Sequence, residues 1–190
     1  RRQRQMCIRD RLYCRWHRNG QKKQYVSGIV NISVSDNGVI QSDYCLTPSS
    51  GADGYFLECG LTLKLDSIFD TFRWLGEGPF TYTPGKTMYN KRNCWALHKN
   101  DLRFIGNRGL VDIAVATDKQ RGIGLWSDNG NIGVENINGS IYISQNAIVT
   151  GYGSKFTAPQ KRKTMDNLKE IKGTLLLFID DPMYPISFWE

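Results

Sequence analysis

Histidine is scarce in this sequence: His17 and His98 are the only two in 190 residues. That leaves little material for histidine-based acid–base or metal chemistry. The five cysteines do not make up for it. Cys7, Cys14, Cys45, Cys59 and Cys94 include no C-x-x-C pair, so no zinc site and no cofactor are expected. A G-x-S-x-G nucleophile elbow is missing too, and any Ser/His/acid or Cys/His arrangement would have to recruit His98. Apolar runs such as Leu175 to Ile179 are far too short for a membrane-spanning helix, and no membrane partner is expected. Internal repeats of constant period and low-complexity tracts are likewise absent.

What is present is the composition of a chain that buries a core: 40% hydrophobic, 12% aromatic and 23% charged residues. The net charge of +7 would suit a nucleic-acid partner, but it is unevenly placed. Residues 1–23 hold nine of the 25 basic residues and one of the 18 acidic ones, so this head carries +8 and the rest −1. Phosphate-binding potential would have to come from the head alone, and no nucleic-acid partner is expected. Within the head, Met6-Cys7-Ile8-Arg9-Asp10-Arg11 resembles one reading-frame translation of the transposon-end adapter used in shotgun DNA sequencing. Residues 1–11 are therefore expected to be a non-native leader, and 12–24 a truncated N-terminal segment.

Period-2 alternation of β-branched and aromatic residues runs through nearly everything after Gln24. It predicts strands at Tyr25–Val34 and Val39–Thr47, joined by the turn Asp36-Asn37-Gly38, and at Tyr55–Lys64. Further strands are expected at Leu102–Ile105, Leu110–Thr117, Ile123–Trp126, Ile132–Glu135, Ser140–Ile143, Ala147–Thr150 and Gly173–Ile179. Phe69 to Leu75 is a dense aromatic segment. From Gly76 to Asn93, glycines and prolines break the pattern and predict a long irregular connection. Lys161–Ile171 is compatible with one short helix. About ten strands with hairpin turns predict an all-β sandwich over 25–179, followed by an extension at 180–190.

Acids on glycine-rich turns (Glu77, Asp128, Glu135 and Asp180-Asp181) are the raw material of a glycosidase pair, yet nothing in the sequence brings two of them to one cleft. Turn chemistry accounts for Asp128 and Asp180. Gly151-Tyr152-Gly153-Ser154-Lys155 lacks the spacing of a phosphate loop and reads as a bent strand end. Aromatic side chains can stack on sugar faces or fill a core. Trp74 is expected in the core, whereas Trp95, beside the irregular connection, fits either role. Trp95, Tyr82, Tyr89 and Glu77 are the carbohydrate-contact candidates. A Cys45–Cys59 bridge would suit an exported chain, and the compartment stays open.

Phe72-Arg73-Trp74-Leu75-Gly76-Glu77-Gly78-Pro79-Phe80 resembles the W-x-G-x-G-P motif of the C-terminal domain of glycoside hydrolase family 2, the β-galactosidase-like enzymes. Gly106-Asn107-Arg108 leading into Val111-Asp112-Ile113 is similar to the family's G-x-R stretch. Gly122-Ile123-Gly124-Leu125 and Gly173 to Phe178 are similar to its later strands. The resemblance implies an antiparallel supersandwich similar to galactose mutarotase-like domains. It also implies that the two catalytic glutamates belong to a separate upstream (β/α)₈ barrel, so no catalytic residue is expected here. Such a domain packs on the barrel, shapes the edge of its pocket and contributes oligomer contacts. Where the family continues with an acid and Tyr-Pro-Asp-Arg, this chain has Thr81-Tyr82-Thr83-Pro84-Gly85-Lys86, so the family's ion pairs and galactose specificity do not carry over. The expected function is a non-catalytic domain fragment of such a hydrolase. The alternative is a free-standing carbohydrate-binding sandwich that holds a glycan at Gly76–Asn93 and Trp95.

Overall fold

Residues that alternate between core and solvent form strands wherever a second strand can take up their backbone hydrogen bonds. In the computed structural model, residues 8–17, 24–49, 58–82, 89–102, 106–118, 120–149 and 169–180 are described. They form β1 (Ile8–His17), β2 (Gln24–Val34), β3 (Ile40–Pro48), β4 (Glu58–Lys64), β5 (Thr71–Gly78) and β6 (Lys91–His98). A 3₁₀ turn at Lys99–Asp101 leads on to β7 (Gly106–Arg108), β8 (Ile113–Thr117), β9 (Gly122–Ser127), β10 (Ile132–Ile137), β11 (Ser140–Val149) and β12 (Ile171–Asp180). No α-helix occurs among the described residues.

The larger sheet has the order β1-β2-β3-β12-β9-β8-β5-β6, and the smaller has β4-β11-β10-β7. All pairings are antiparallel. The chain is therefore an all-β antiparallel sandwich, as its alternation predicts. Two apolar clusters are buried in it. One gathers Phe72, Trp74, Ala114, Leu125, Ile132, Val134, Ile141 and Ile143. The other gathers Val26, Val30, Tyr44, Ile148 and Ile171, with Cys59 and Leu61 packed against it. Asn138 and Gly139 both have positive φ, 52° and 84°, which lets a two-residue turn match the twist of β10 and β11.

Several boundaries differ from the sequence pattern. The irregular connection is shorter than expected, because Lys91–His98 pairs with Thr71–Gly78 along its whole length. That strand lies at a sheet edge with Lys91 to Cys94 exposed, so only Trp95 and Leu97 carry an inward apolar signal. Ser140–Ile143 and Ala147–Thr150 fuse into β11, with a register shift between Asn146 and Ile148. Leu110 has φ 50° and lies outside the strand, which starts at Ile113. Pairing between β1 and β2 runs from Ile8↔Val34 to His17↔Gln24, so the larger sheet extends ahead of Tyr25. The expected strand at 102–105 and the helix at 161–171 fall mostly outside the described residues, and Ile171 itself begins β12. So do the stretch 151–155 and most of the extension 180–190. Cys45, Cys59 and Cys94 are free thiols, and burial pushes Cys59 up to about 11.

Candidate functional site

The motif around Trp74 is an internal brace. Trp74 is fully buried, stacks on Phe72 at 5.6 Å, and donates its indole N–H to the Glu77 carbonyl at 3.0 Å. Trp95 lies opposite Trp74 in register with their ring centroids 6.4 Å apart, and its Nε1 donates to the carbonyls of Gly76 (3.2 Å) and Lys91 (3.3 Å). It is half-buried and packs against the apolar cluster of Trp74. Over Trp74 lies the guanidinium of Arg108, 5.2 Å from the ring centroid. Arg108 is 2% exposed, donates to the Gly106 carbonyl at 3.3 Å, and leaves its Nε without a hydrogen-bond partner. Burial lowers its pKa to about 10, opposed by the charge of Glu58.

The other sequence candidates surround this brace. The Glu77 N–H donates to the Gly109 carbonyl at 3.0 Å, and the Tyr82 ring rests on the bare backbone of Gly109. The Tyr82 N–H donates to the Asn107 carbonyl at 2.6 Å. Tyr89 is 76% exposed, just before β6. Glu77 and Trp95 sit on opposite faces of the larger sheet, since Trp95 pairs with the inward Trp74 and Glu77 alternates away from it, and no hydrogen bond joins the side chains of the four candidates among the described residues. Arg92, across from Glu77, is ion-paired with Asp112 instead. His98 is exposed, and its Nδ1 accepts the Asn100 N–H at 3.2 Å.

A second polar constellation, missed in the sequence, crosses the smaller sheet. Thr62, Ser144, Gly133 and Asn107 stand in register on β4, β11, β10 and β7. Thr62 and Ser144 share a hydrogen bond of 2.8 Å. The Asn146 amide donates to Glu58 Oε2 at 3.1 Å and to Asn107 Oδ1 at 3.2 Å, and Asn107 donates to Asn131 Oδ1 at 3.1 Å. Asn129 donates to the Asn146 carbonyl at 2.7 Å, and Gln145 donates to Asp128 Oδ1 at 3.1 Å. Gln145 in turn accepts the Tyr44 hydroxyl, whose pKa burial drives well above its usual value. Asn107 and Asn146 are 1% and 2% exposed, whereas Glu58 is only half-buried. Burial lifts the Glu58 pKa above the ordinary carboxylate range and Glu135 adds to this, while the Asn146 amide, the Asn107 N–H and Arg108 oppose it. Polar residues scattered over four strands give no local motif, and only the register brings them together.

No protein-family model matches the chain, and no curated protein sequence does. Among solved structures it is similar to a protein of Escherichia coli K12 assigned as an aldose 1-epimerase, with a TM-score of 0.52 and 8% identity. The similarity covers 93% of this chain and 68% of that one. At this identity the likeness is one of fold, and the fold is that of the galactose mutarotase-like sandwiches.

Proposed function

We propose that this chain is a non-catalytic sandwich domain of a β-galactosidase-like family 2 glycoside hydrolase, packing on a catalytic barrel and shaping its active site. The observation that carries the reading is the state of the W-x-G-x-G-P segment. Trp74 is wholly buried and bonded to the Glu77 carbonyl, so the residues of the resemblance act as a brace. The sugar-enzyme fold of the structural relative supports a carbohydrate context. An epimerase role for the chain alone is less well supported, because His98 is exposed on an edge strand and its Nδ1 is bonded to backbone. The end of the β5–β6 pair, bearing Glu77, Tyr82, Tyr89 and Trp95, is the side we assign to the rim of the barrel's pocket. Oligomer contacts would belong to the assembled parent enzyme.

The coding sequence upstream of Leu12 tests this directly. An open frame encoding a (β/α)₈ barrel with two catalytic glutamates is expected, and a start codon with no such barrel would overturn the reading. The chain alone is expected not to turn over an aryl β-galactoside, and turnover abolished by substitution within this chain would remove the non-catalytic part of the proposal. One observation favours the alternative, a free-standing carbohydrate-binding sandwich: the carboxylate, amide and hydroxyl groups aligned on the smaller sheet.

A further inference from the structure

We propose that the outer face of the larger sheet, turned away from the smaller one, is a self-complementary interface joining two copies of this chain. Phe72 and Trp74 of β5, Ala114 and Ala116 of β8, Leu125 of β9 and Leu177 of β12 point into the apolar cluster between the sheets. Residues one position away therefore stand on the outer face. Leu75 is in register with Cys94 of β6 on one side and with Ile113 of β8 on the other. Ala114 pairs with Leu125, which puts Trp126 beside Ile113, and Trp126 pairs with Leu176. Cys94, Leu75, Ile113, Trp126 and Leu176 thus make one row across five neighbouring strands, and none of them is buried. Trp126 is 39% exposed in the middle of the sheet, where a lone large ring has nothing of its own to cover it.

Opposite charges flank this apolar row. Arg73 and Glu77 stand two positions to either side of Leu75, on the same strand and the same face. They are roughly 13 Å apart along the strand, too far to pair with each other. Arg73 Nε has no hydrogen-bond partner, and neither side chain enters an ion pair among the described residues. Arg92, across from Glu77, is committed to Asp112 and to the Leu110 carbonyl. A carboxylate and a guanidinium from outside would supply what each of the two lacks.

This arrangement selects a second copy as the occupant. A twofold axis laid along the row, in the plane of contact, turns one sheet face down on the other with their strands antiparallel. Each residue of the row then meets its own counterpart, and Arg73 of either chain faces Glu77 of the other. Stacked sheets lie about 10 Å apart, a gap that an Arg–Glu pair spans. The roughly 30° at which packed sheets cross displaces the two charges by only about 3 Å. Two ion pairs thus bracket a strip of apolar contact. The contact is face to face and leaves the β6 edge unpaired. Glu77 lies where this face borders the β5–β6 end assigned above to the pocket rim, but the interface itself requires no barrel.

The test is sedimentation equilibrium of the full 190-residue chain over a concentration series. A reversible monomer–dimer equilibrium is expected, weakened by added salt. Arg73→Glu and Glu77→Arg should each weaken it about tenfold or more, because symmetry places the like-charge contact twice in every dimer. The double exchange, Arg73→Glu with Glu77→Arg, restores both pairs and should bring the dissociation constant back to within a few-fold of the wild type. Unchanged near-ultraviolet signals separate loss of dimer from loss of fold. A second measurement needs no change of charge: Cys94 is an exposed free thiol at the end of the row, so a bis-maleimide with a reach of about 10 Å should join two wild-type chains, and Cys94→Ser should abolish the product. A chain that stays monomeric and gives no Cys94 product overturns the interface and leaves the hydrolase-domain reading to its own upstream-sequence test. A dimer indifferent to both single reversals, or one that the folded double exchange fails to restore, overturns it as well.

Discussion

Arg108 is the residue whose placement costs most. A guanidinium enclosed by protein, with its Nε unpartnered, is held by packing on Trp74 and a single carbonyl. Leaving a buried donor unsatisfied costs about 1–3 kcal/mol. Arg108→Met, which keeps the length over the indole and removes the charge, is therefore expected to leave stability unchanged or raise it by about 1–3 kcal/mol in urea unfolding. Trp74→Ala should lose about 3–5 kcal/mol, because the ring is fully buried between Phe72 and Arg108. Glu58 should betray itself by pH. Its pKa is raised in the folded state, so the folded chain holds the proton more tightly than the unfolded one. Stability then grows as the pH falls through the folded value toward the ordinary carboxylate range, and is lost again as the pH rises through it. Urea midpoints at about pH 5 and about pH 7 should show this trend in the wild type and a smaller one in Glu58→Gln. At this scale the sequence was legible where one residue type has one fate, as for Trp74. It was not for Glu58, whose partners Asn146 and Asn107 lie 88 and 49 positions away and meet it only through strand register.

Strand pairing reads clearly where both partners alternate and a turn residue fixes the link, as in β2–β3 and β10–β11. It reads poorly in β6, because a strand at the rim of a sheet buries few side chains and resembles a loop. The β10–β11 turn offers a clean measurement. A Cβ at Gly139 would meet nothing within 4 Å, so Gly139→Ala isolates the cost of a left-handed backbone at φ 84°. A loss of about 1–2 kcal/mol in urea unfolding, with no change in the near-ultraviolet signal of the tryptophans, is expected. A loss well above this range would mean that the turn also packs against the body of the sandwich.

Across the whole molecule, the larger sheet spans two apolar clusters, and they differ in enclosure. Ala114, Ala116 and Leu125 sit in the central strands β8 and β9 over the cluster around Trp74 and are completely buried. Their amides should exchange hydrogen only by global unfolding, whereas those of the terminal strand β1 should exchange by local opening, as native-state exchange would show. The opposite rim has a different consequence. Beyond β6 the described sheet has no further strand, so that edge presents backbone donors and acceptors to any extended chain that approaches. Lys91 and Arg92 stand exposed at its start, and the Arg92–Asp112 pair fixes one charge there. These cations make the rim a poor template for self-association. The strand that buries least thus begins with the residues that most resist pairing with another edge.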